Sequence, residues 1–155
     1  MQDLSRLPVV FLKVILTIVL TSLIGVEREI RNKVAGLRTH VLVGMGSCLI
    51  VLTAFHISDI YNHTLTDPTR IISNIVTGIG FLCAGTIIRG GGQIIGLTTA
   101  ATLWIVSGIG MAIGAGDYVD AIVVTATSLL VLIGLRSLER MVQEYSRGSN
   151  QNNSQ

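Results

Sequence analysis

Residues 7–26 read LPVVFLKVILTIVLTSLIGV, an apolar run in which Lys13 is the only charged side chain. The hydrocarbon core of a bilayer requires a helix of about 20 predominantly apolar residues. The run is longer than the apolar core of a signal peptide and lacks an Ala-x-Ala cleavage site. We therefore predict that it forms a retained transmembrane helix.

The composition of the whole chain agrees with a membrane protein. Half of the 155 residues are hydrophobic and 13% are charged, whereas soluble domains carry about 25% charged residues. The net charge is +2 and no basic stripe is visible, so a nucleic-acid partner is not expected. Cys48 and Cys83 lie within apolar runs without CxxC spacing, which predicts buried free thiols and neither a zinc site nor a disulfide framework.

Apolar runs between charged clusters predict five transmembrane spans in all. The alternation of apolar and polar residues that marks a membrane barrel is absent, so each span is predicted to be a helix. The fold class is therefore all-α, a polytopic membrane helix bundle. The predicted spans cover residues 7–26, 39–58, 71–88, 94–115 and 118–135.

Two segments lie outside this regular pattern. Residues 90–96 contain three consecutive glycines, and we interpret them as a loop between two spans, with a re-entrant segment as the alternative. We expect a transmembrane domain over residues 1–140 and a polar, disordered tail over residues 141–155, because its composition buries too little apolar surface to order the chain.

Lysine and arginine residues predict the orientation of the bundle, because cytoplasmic loops carry an excess of both. In a five-span chain, most of them fall on one side of the membrane, and five aspartates fall on the other. The N-terminus is then outside and the C-terminus is in the cytoplasm. The residues on the predicted cytoplasmic side are Arg28, Arg31, Lys33, Arg38, Arg89, Arg136, Arg140 and Arg147.

Polar side chains cluster at the predicted cytoplasmic ends of the spans. In one interpretation they form a solvated surface, where Glu27 pairs with Arg31 at helical spacing. In the other, Glu27 faces the bundle and meets Arg38 or Arg89, because an ionisable group at membrane depth is costly and tends to be functional. Such a polar pocket would bind an ion, a headgroup or a partner helix. The candidate residues are Glu27, Arg28, Glu29, Arg38, Thr39, His40, Arg89, Thr98 and Thr99.

Further polar groups lie within the spans or on the predicted outer side. Lys13 is expected to extend its amine to the outer interface, or else to pair with one of the outer aspartates. Asn74 adds an intramembrane amide to the third span. Asp67 and Arg70 form a candidate motif on the outer side.

Many of the 17 glycines lie within predicted spans. Small residues four positions apart let two helix backbones approach closely. Ordinary packing within the bundle is one interpretation, and a tight dimer seam is the other. The candidate packing residues are Gly78, Gly80, Ala84, Gly85, Gly96, Gly110 and Gly114.

The sequence shows no recognisable catalytic machinery. It lacks a nucleophile–base pair, a carboxylate dyad and a phosphate loop, and Gly78 to Cys83 fails to complete a dinucleotide fingerprint. His40 lacks a second histidine at helical spacing, and the aspartates on the outer side are too scattered to suggest an octahedral magnesium site. We expect a protein that is not an enzyme and has no cofactor or metal site.

Three stretches, in order, carry a resemblance to a known family. They are GVERE (25–29) followed by AGLRTH (35–40), DPTRI (67–71) leading into GIGFLCAG (78–85), and GLTTAATLW (96–104). Together they resemble the MgtC/SapB family of bacterial inner-membrane proteins. The resemblance implies a multi-pass protein of the plasma membrane with a cytoplasmic C-terminus, linked to survival at low magnesium and to virulence. It also suggests the F-type ATP synthase as a partner, because one member is understood to restrain that enzyme.

The sequence departs from the family pattern in two ways. Many members carry a soluble C-terminal regulatory domain, and this sequence ends soon after the fifth predicted span, so functions of that domain are not expected. Cys83 stands where the family usually has glycine, which predicts a slightly wider helix contact there.

Two functions follow from these observations. The first is a regulator that acts by helix–helix contact on a membrane complex, such as the F-type ATP synthase or a transporter. A homodimer formed through the small-residue faces is a further candidate assembly. The alternative is a small ion transporter or channel for magnesium or another ion, which Glu27, Arg38, Arg89 and the nearby threonines would serve.

Overall fold

A computed structural model describes residues 2–61, 67–90 and 93–152, with side chains described at 6–61, 67–90 and 93–135. The described chain is almost entirely helical, which confirms the predicted all-α class. Its elements are α1 (Gln2–Ile30), α2 (Leu37–Ile60), α3 (Pro68–Gly85), β1 (Ile88–Gly90), β2 (Gln93–Ile95), α4 (Leu97–Ala115) and α5 (Tyr118–Asn152).

Four of the five helices are long and apolar enough to cross a membrane. These stretches are Arg6–Ile30, Leu37–Ile60, Leu97–Ala115 and Tyr118–Leu135. The remaining helix, α3, has 18 residues and corresponds to the third predicted span. It is less apolar because its first turn contains Pro68, Thr69 and Arg70. The membrane orientation inferred from the charges stays a prediction.

α3 begins three residues earlier than its apolar run predicts. Asp67 caps the helix, since its carboxylate accepts hydrogen bonds from the Thr69 N–H at 2.9 Å and the Thr69 hydroxyl at 2.7 Å. Pro68 occupies the first turn, where a missing N–H costs nothing. These hydrogen bonds hold the pKa of the Asp67 carboxyl below its ordinary value.

A two-stranded antiparallel hairpin joins α3 to α4. Ile88 pairs with Ile95 and Arg89 with Ile94. The apolar runs predict helix up to residue 88 and again from residue 94, with an irregular loop between the two spans. That prediction is wrong at Ile88, Ile94 and Ile95, which belong to strands. The isoleucines that looked like span ends are β-branched and suit a strand. Gly91 and Gly92, at the centre of the predicted loop, lie outside the described residues.

α2 occupies the centre of the bundle and packs against α1, α3 and α4. Its closest approach is to α4, where a side chain at Gly110 would overlap the carbonyl group of Gly44. One turn further, a Cβ at Gly114 would lie 2.9 Å from the carbonyl oxygen of Cys48. Small residues therefore let these two backbones touch, as small-residue faces do in membrane bundles.

The chain divides into two compact units, residues 1–125 and residues 126–155. The first unit contains α1 to α4, the hairpin and the first turns of α5, where the Thr125 hydroxyl donates to the carbonyl of Ala121 at 2.7 Å. The second unit consists of the rest of α5. The domain boundary at residue 140 and the disorder of the tail stay predictions, and residues 153–155 lie outside the described chain.

Candidate functional site

The end of α1 carries a buried ion-pair cluster formed by Glu27, Arg28 and Arg31. Glu27 is 8% exposed and Arg28 3% exposed. One oxygen of Glu27 accepts from Arg28 Nε at 2.5 Å, and the other accepts from Arg31 Nε at 2.6 Å. Both carboxylate oxygens are thus engaged by guanidinium groups, the arrangement that makes a buried charge tolerable.

This cluster combines parts of the two interpretations of the sequence. Glu27 pairs with Arg31, as the first predicted, and it is buried, as the second predicted, but Arg38 and Arg89 are not its partners. Arg38 and Arg89 are both exposed, and neither forms an ion pair among the described side chains. The Arg28 pairing could not be anticipated, because adjacent residues on a helix do not normally face each other.

Glu29 caps the N-terminus of α2. Gly36, at the N-cap position, offers no side chain, and Glu29 Oε2 accepts from the Leu37 N–H at 2.9 Å. A side chain at position 36 would overlap that carboxylate. An acidic group at this position compensates an unpaired N–H and the positive end of the helix dipole.

His40 links α2 and α4 near the starts of both helices. The side chain is fully buried, with Nδ1 2.8 Å from the Gly36 carbonyl oxygen and Nε2 3.0 Å from Thr102 Oγ1. A carbonyl only accepts hydrogen bonds, so Nδ1 carries a proton. Thr102 Oγ1 is also 2.9 Å from the Thr99 carbonyl oxygen, and its single proton is given either to that oxygen or to His40 Nε2. His40 therefore holds two helices at one end of the bundle.

A second polar contact joins α2 and α4 within a mostly apolar interior. The hydroxyl groups of Ser47 on α2 and Ser107 on α4 are 2.8 Å apart.

At the other end of α4, Lys13 Nζ donates to the carbonyl of Gly114 at 2.8 Å. Lys13 thus has a backbone partner at the negative end of a helix, a favourable position for a cation, and neither an outer aspartate nor the membrane interface is needed to explain it.

α2 and α3 enclose an open groove, which we call the α2–α3 groove. It has a volume of about 590 Å³, and its lining is mostly apolar. Gly46 and Gly78 contribute open backbone to it, since a Cβ at either position would meet no atom within 4 Å apart from its own local helix backbone. Asn74 also lines the groove, and its exposed amide has no hydrogen bond among the described residues.

The predicted packing residues occupy two kinds of environment. Gly110 and Gly114 lie in the contact between α2 and α4. Gly78, Gly80 and Gly85 face open space, and Ala84 is exposed. The small-residue face of α3 is thus available to another molecule, whereas that of α4 is occupied within the chain.

A second cavity lies beside the first turn of α4, and we call it the α4 pocket. Its volume is about 420 Å³, and Asn32, Lys33, Ile94, Thr98 and Thr99 are among its lining residues. Gly96, which also lines it, has a φ of 98°. A side chain there would overlap the carbonyl of Thr86, so glycine is required for the chain to enter α4.

Thr39 lies in the α2–α3 groove, while Asp67 and Arg70 lie at the start of α3. Sequence reasoning named Arg31 as a partner of Glu27 and Thr102 as a polar group of the fourth span, but it missed Ser47 and Ser107. Thr102 carried one signal, because its position three residues after Thr99 places both on one helix face. Within the described residues, no group of three or more His, Cys, Asp and Glu side chains could hold a metal ion.

Comparison with known proteins identifies the family. A model of the MgtC family matches residues 14–141. YhiD of Escherichia coli, named a putative magnesium transporter, is 44% identical over 124 residues, which are 78% of this chain and 58% of that protein. No solved structure matches the chain significantly.

Two further relatives agree with this match. SapB of Bacillus subtilis is 35% identical over 88% of this chain and 60% of its own length. MgtC of Salmonella typhimurium is 39% identical over 86% of this chain and 55% of its own length. The chain thus spans little more than half the length of these relatives. With four apolar helices of membrane-spanning length and a family match over most of its residues, the chain is a membrane protein that belongs to the MgtC family.

Proposed function

We propose that this protein is a non-enzymatic regulator in the bacterial inner membrane, and that it acts by binding a transmembrane helix of a partner complex in the α2–α3 groove. The observation that carries this proposal is the groove itself, which is open and mostly apolar. It combines backbone that is free of side chains with an amide that has no partner within the described chain.

The chemistry of the groove favours a helix as its occupant. Only Ile75 and Ile79 of α3 are buried, and Phe81 is 83% exposed, so most of α3 is available for contact. Small residues allow close approach of a second backbone, and polar side chains such as Asn form hydrogen bonds across helices in lipid. An acyl chain would fill the apolar part of the groove, but it offers nothing to the Asn74 amide.

The partner that we propose is a membrane complex such as the F-type ATP synthase or a transporter, acting at low magnesium or during virulence. The family resemblance suggests this setting. A second copy of the chain is the other candidate occupant, because Asn both donates and accepts hydrogen bonds and could pair with itself across a two-fold axis.

The test uses two glycines of α3 that differ only in their relation to the groove. Gly78 lines it and Gly80 does not, although both are exposed and free of neighbouring atoms. Gly78→Leu should fill the groove and abolish recovery of ATP synthase subunits, or of a transporter, from cross-linked membranes. Gly80→Leu should recover them as the wild type does.

Proton pumping by the ATP synthase in inverted membrane vesicles gives the functional readout. Wild-type protein and Gly80→Leu should lower it, and Gly78→Leu should relieve that inhibition. Equal co-purification and equal inhibition by both variants would overturn the groove as the regulatory surface.

The alternative function is transport of magnesium or another ion, which the name of the E. coli relative favours. The buried carboxylate of Glu27, which would attract a divalent cation, is already neutralised by two arginines. Purified protein in proteoliposomes should therefore show no magnesium flux above that of empty vesicles. A flux that depends on Glu27 would favour the transporter instead.

A further inference from the structure

The α4 pocket lies at the N-terminus of a helix that lacks a side-chain cap. α4 has 19 residues, and its N-cap residue is Gly96. The first N–H groups of a helix have no intrahelical acceptor, and with the helix dipole they form a favourable environment for an anion. This arrangement alone is common, so the inference depends on what else faces the pocket.

The second observation is a buried hydroxyl without a partner. Thr99 lines the pocket and is 2% exposed, yet its side chain forms no hydrogen bond among the described residues. The other buried threonines of the described chain all form side-chain hydrogen bonds. They are Thr17, Thr21, Thr102 and Thr125. An unsatisfied buried hydroxyl is costly and calls for an explanation.

The charge around the pocket is positive. Lys33 lines it, is exposed, and forms no ion pair within the described chain. Asn32 beside it adds an amide, and Arg89 pairs in the hairpin with Ile94, another lining residue. No acidic residue lines the pocket. Glu29, which is close in sequence, directs its carboxylate to the Leu37 N–H.

We propose that the α4 pocket binds a phosphate group, held by the Thr99 hydroxyl, the free N–H groups of the first turn of α4 and the Lys33 amine. Phosphate oxygens accept hydrogen bonds from hydroxyl, N–H and ammonium groups alike. The pocket lies at an end of the spanning helices, where the phosphates of a bilayer are found, so an anionic phospholipid headgroup and free phosphate share the required chemistry.

The experiment measures binding of two probes to the purified full chain in detergent micelles by native mass spectrometry. One probe is short-chain phosphatidylglycerol and the other is inorganic phosphate. Thr99→Val removes the hydroxyl at nearly constant shape, and Lys33→Gln removes the charge at an exposed position. The matched controls are Thr125→Val, a buried threonine outside the pocket, and Arg6→Gln, near the other end of α1.

Thr99→Val should weaken binding about tenfold or more, as expected for a hydrogen bond to a charged group, and Lys33→Gln should weaken it as well, whereas both controls should bind like the wild type. This pattern with phosphatidylglycerol alone identifies a lipid headgroup as the ligand. The same pattern with inorganic phosphate identifies free phosphate.

Binding of neither probe, or equal binding by the pocket variants and the controls, overturns the proposal. Because Lys33 is exposed, Lys33→Gln should fold normally and keeps the test decisive if Thr99→Val does not fold.

Discussion

Glycine serves two opposite purposes among individual residues of this protein. Gly110 is buried where α4 touches the backbone of α2 at Gly44. A Cβ at Gly108, two residues earlier, would meet no atom within 4 Å apart from its own local helix backbone. Glycine therefore permits the backbone contact with α2 at position 110, whereas at position 108 it leaves the surface of α4 without a neighbour. Sequence spacing cannot separate these cases, since it shows that residues share a face without showing what that face meets.

Gly110→Leu should destabilise the bundle by about 1–3 kcal/mol or more, the usual cost of forcing extra carbons into a packed interior. The new side chain would push α4 away from α2. It would also disturb the His40–Thr102 hydrogen bond near the starts of the two helices. Gly108→Ala is the matched control and should be neutral or slightly stabilising, because alanine favours helix and meets no neighbour. Unfolding in mixed detergent micelles measures both, and equal stability of the two variants would contradict the α2–α4 contact.

Among the elements, the helices were predictable and their connections were not. Apolar runs located every helix of the described chain, because a bilayer demands continuous hydrophobicity over a fixed length. The hairpin after α3 was missed, since Ile88 and Ile94 extend the apolar runs on either side and only backbone pairing shows that they belong to strands. The start of α3 was missed as well, although Asp67 followed by Pro68 is a recognisable helix N-terminus.

The cap of α3 gives a prediction about pH. Hydrogen bonds from Thr69 lower the pKa of Asp67 in the folded state. Their contribution is therefore present at neutral pH and is lost as the pH falls through that lowered pKa. After correction for intrinsic rates, amide hydrogen exchange in the first turn of α3 should accelerate on acidification in the wild type.

Two variants make the Asp67 prediction specific. Asp67→Ala should exchange fast at every pH, because the acceptor is gone. Asp67→Asn should protect the first turn without pH dependence, since Asn is also a good cap. An acid-induced acceleration of the same size in Asp67→Asn would show that another group causes it.

At the scale of the whole molecule, the sequence predicted the medium and the class of fold but not the interior of the site. Composition identified lipid as the solvent, because so few charged residues cannot cover a soluble surface. The inward direction of Glu27 and its pairing with Arg31 were both among the alternatives, because these two residues are only four positions apart. The His40–Thr102 pair and the unsatisfied Thr99 depend instead on which helix faces are adjacent. That adjacency is set by packing between segments distant in sequence, and one sequence contains no direct record of it.

The arrangement of the first unit also bears on the number of times the chain crosses the membrane. His40 near the start of α2 touches Thr102 near the start of α4, and Lys33 lines a pocket with Thr98. The starts of α2 and α4 therefore lie at the same end of the bundle. α2 leads away from that end, so α3 must return to it, although its composition is less apolar than that of the four long apolar helices.

Cysteine labelling tests this return directly. In a variant with Cys48 and Cys83 replaced by alanine, Lys33→Cys and Arg89→Cys should react with a membrane-impermeant maleimide from the same side, and Asp117→Cys from the opposite side. Right-side-out and inverted vesicles distinguish the two faces, and the positive-inside rule predicts that positions 33 and 89 face the cytoplasm. If α3 lay on the membrane surface instead, position 89 would be labelled from the side opposite position 33. That result would place the first turn of α4 far from Lys33 and remove the basis for a shared pocket.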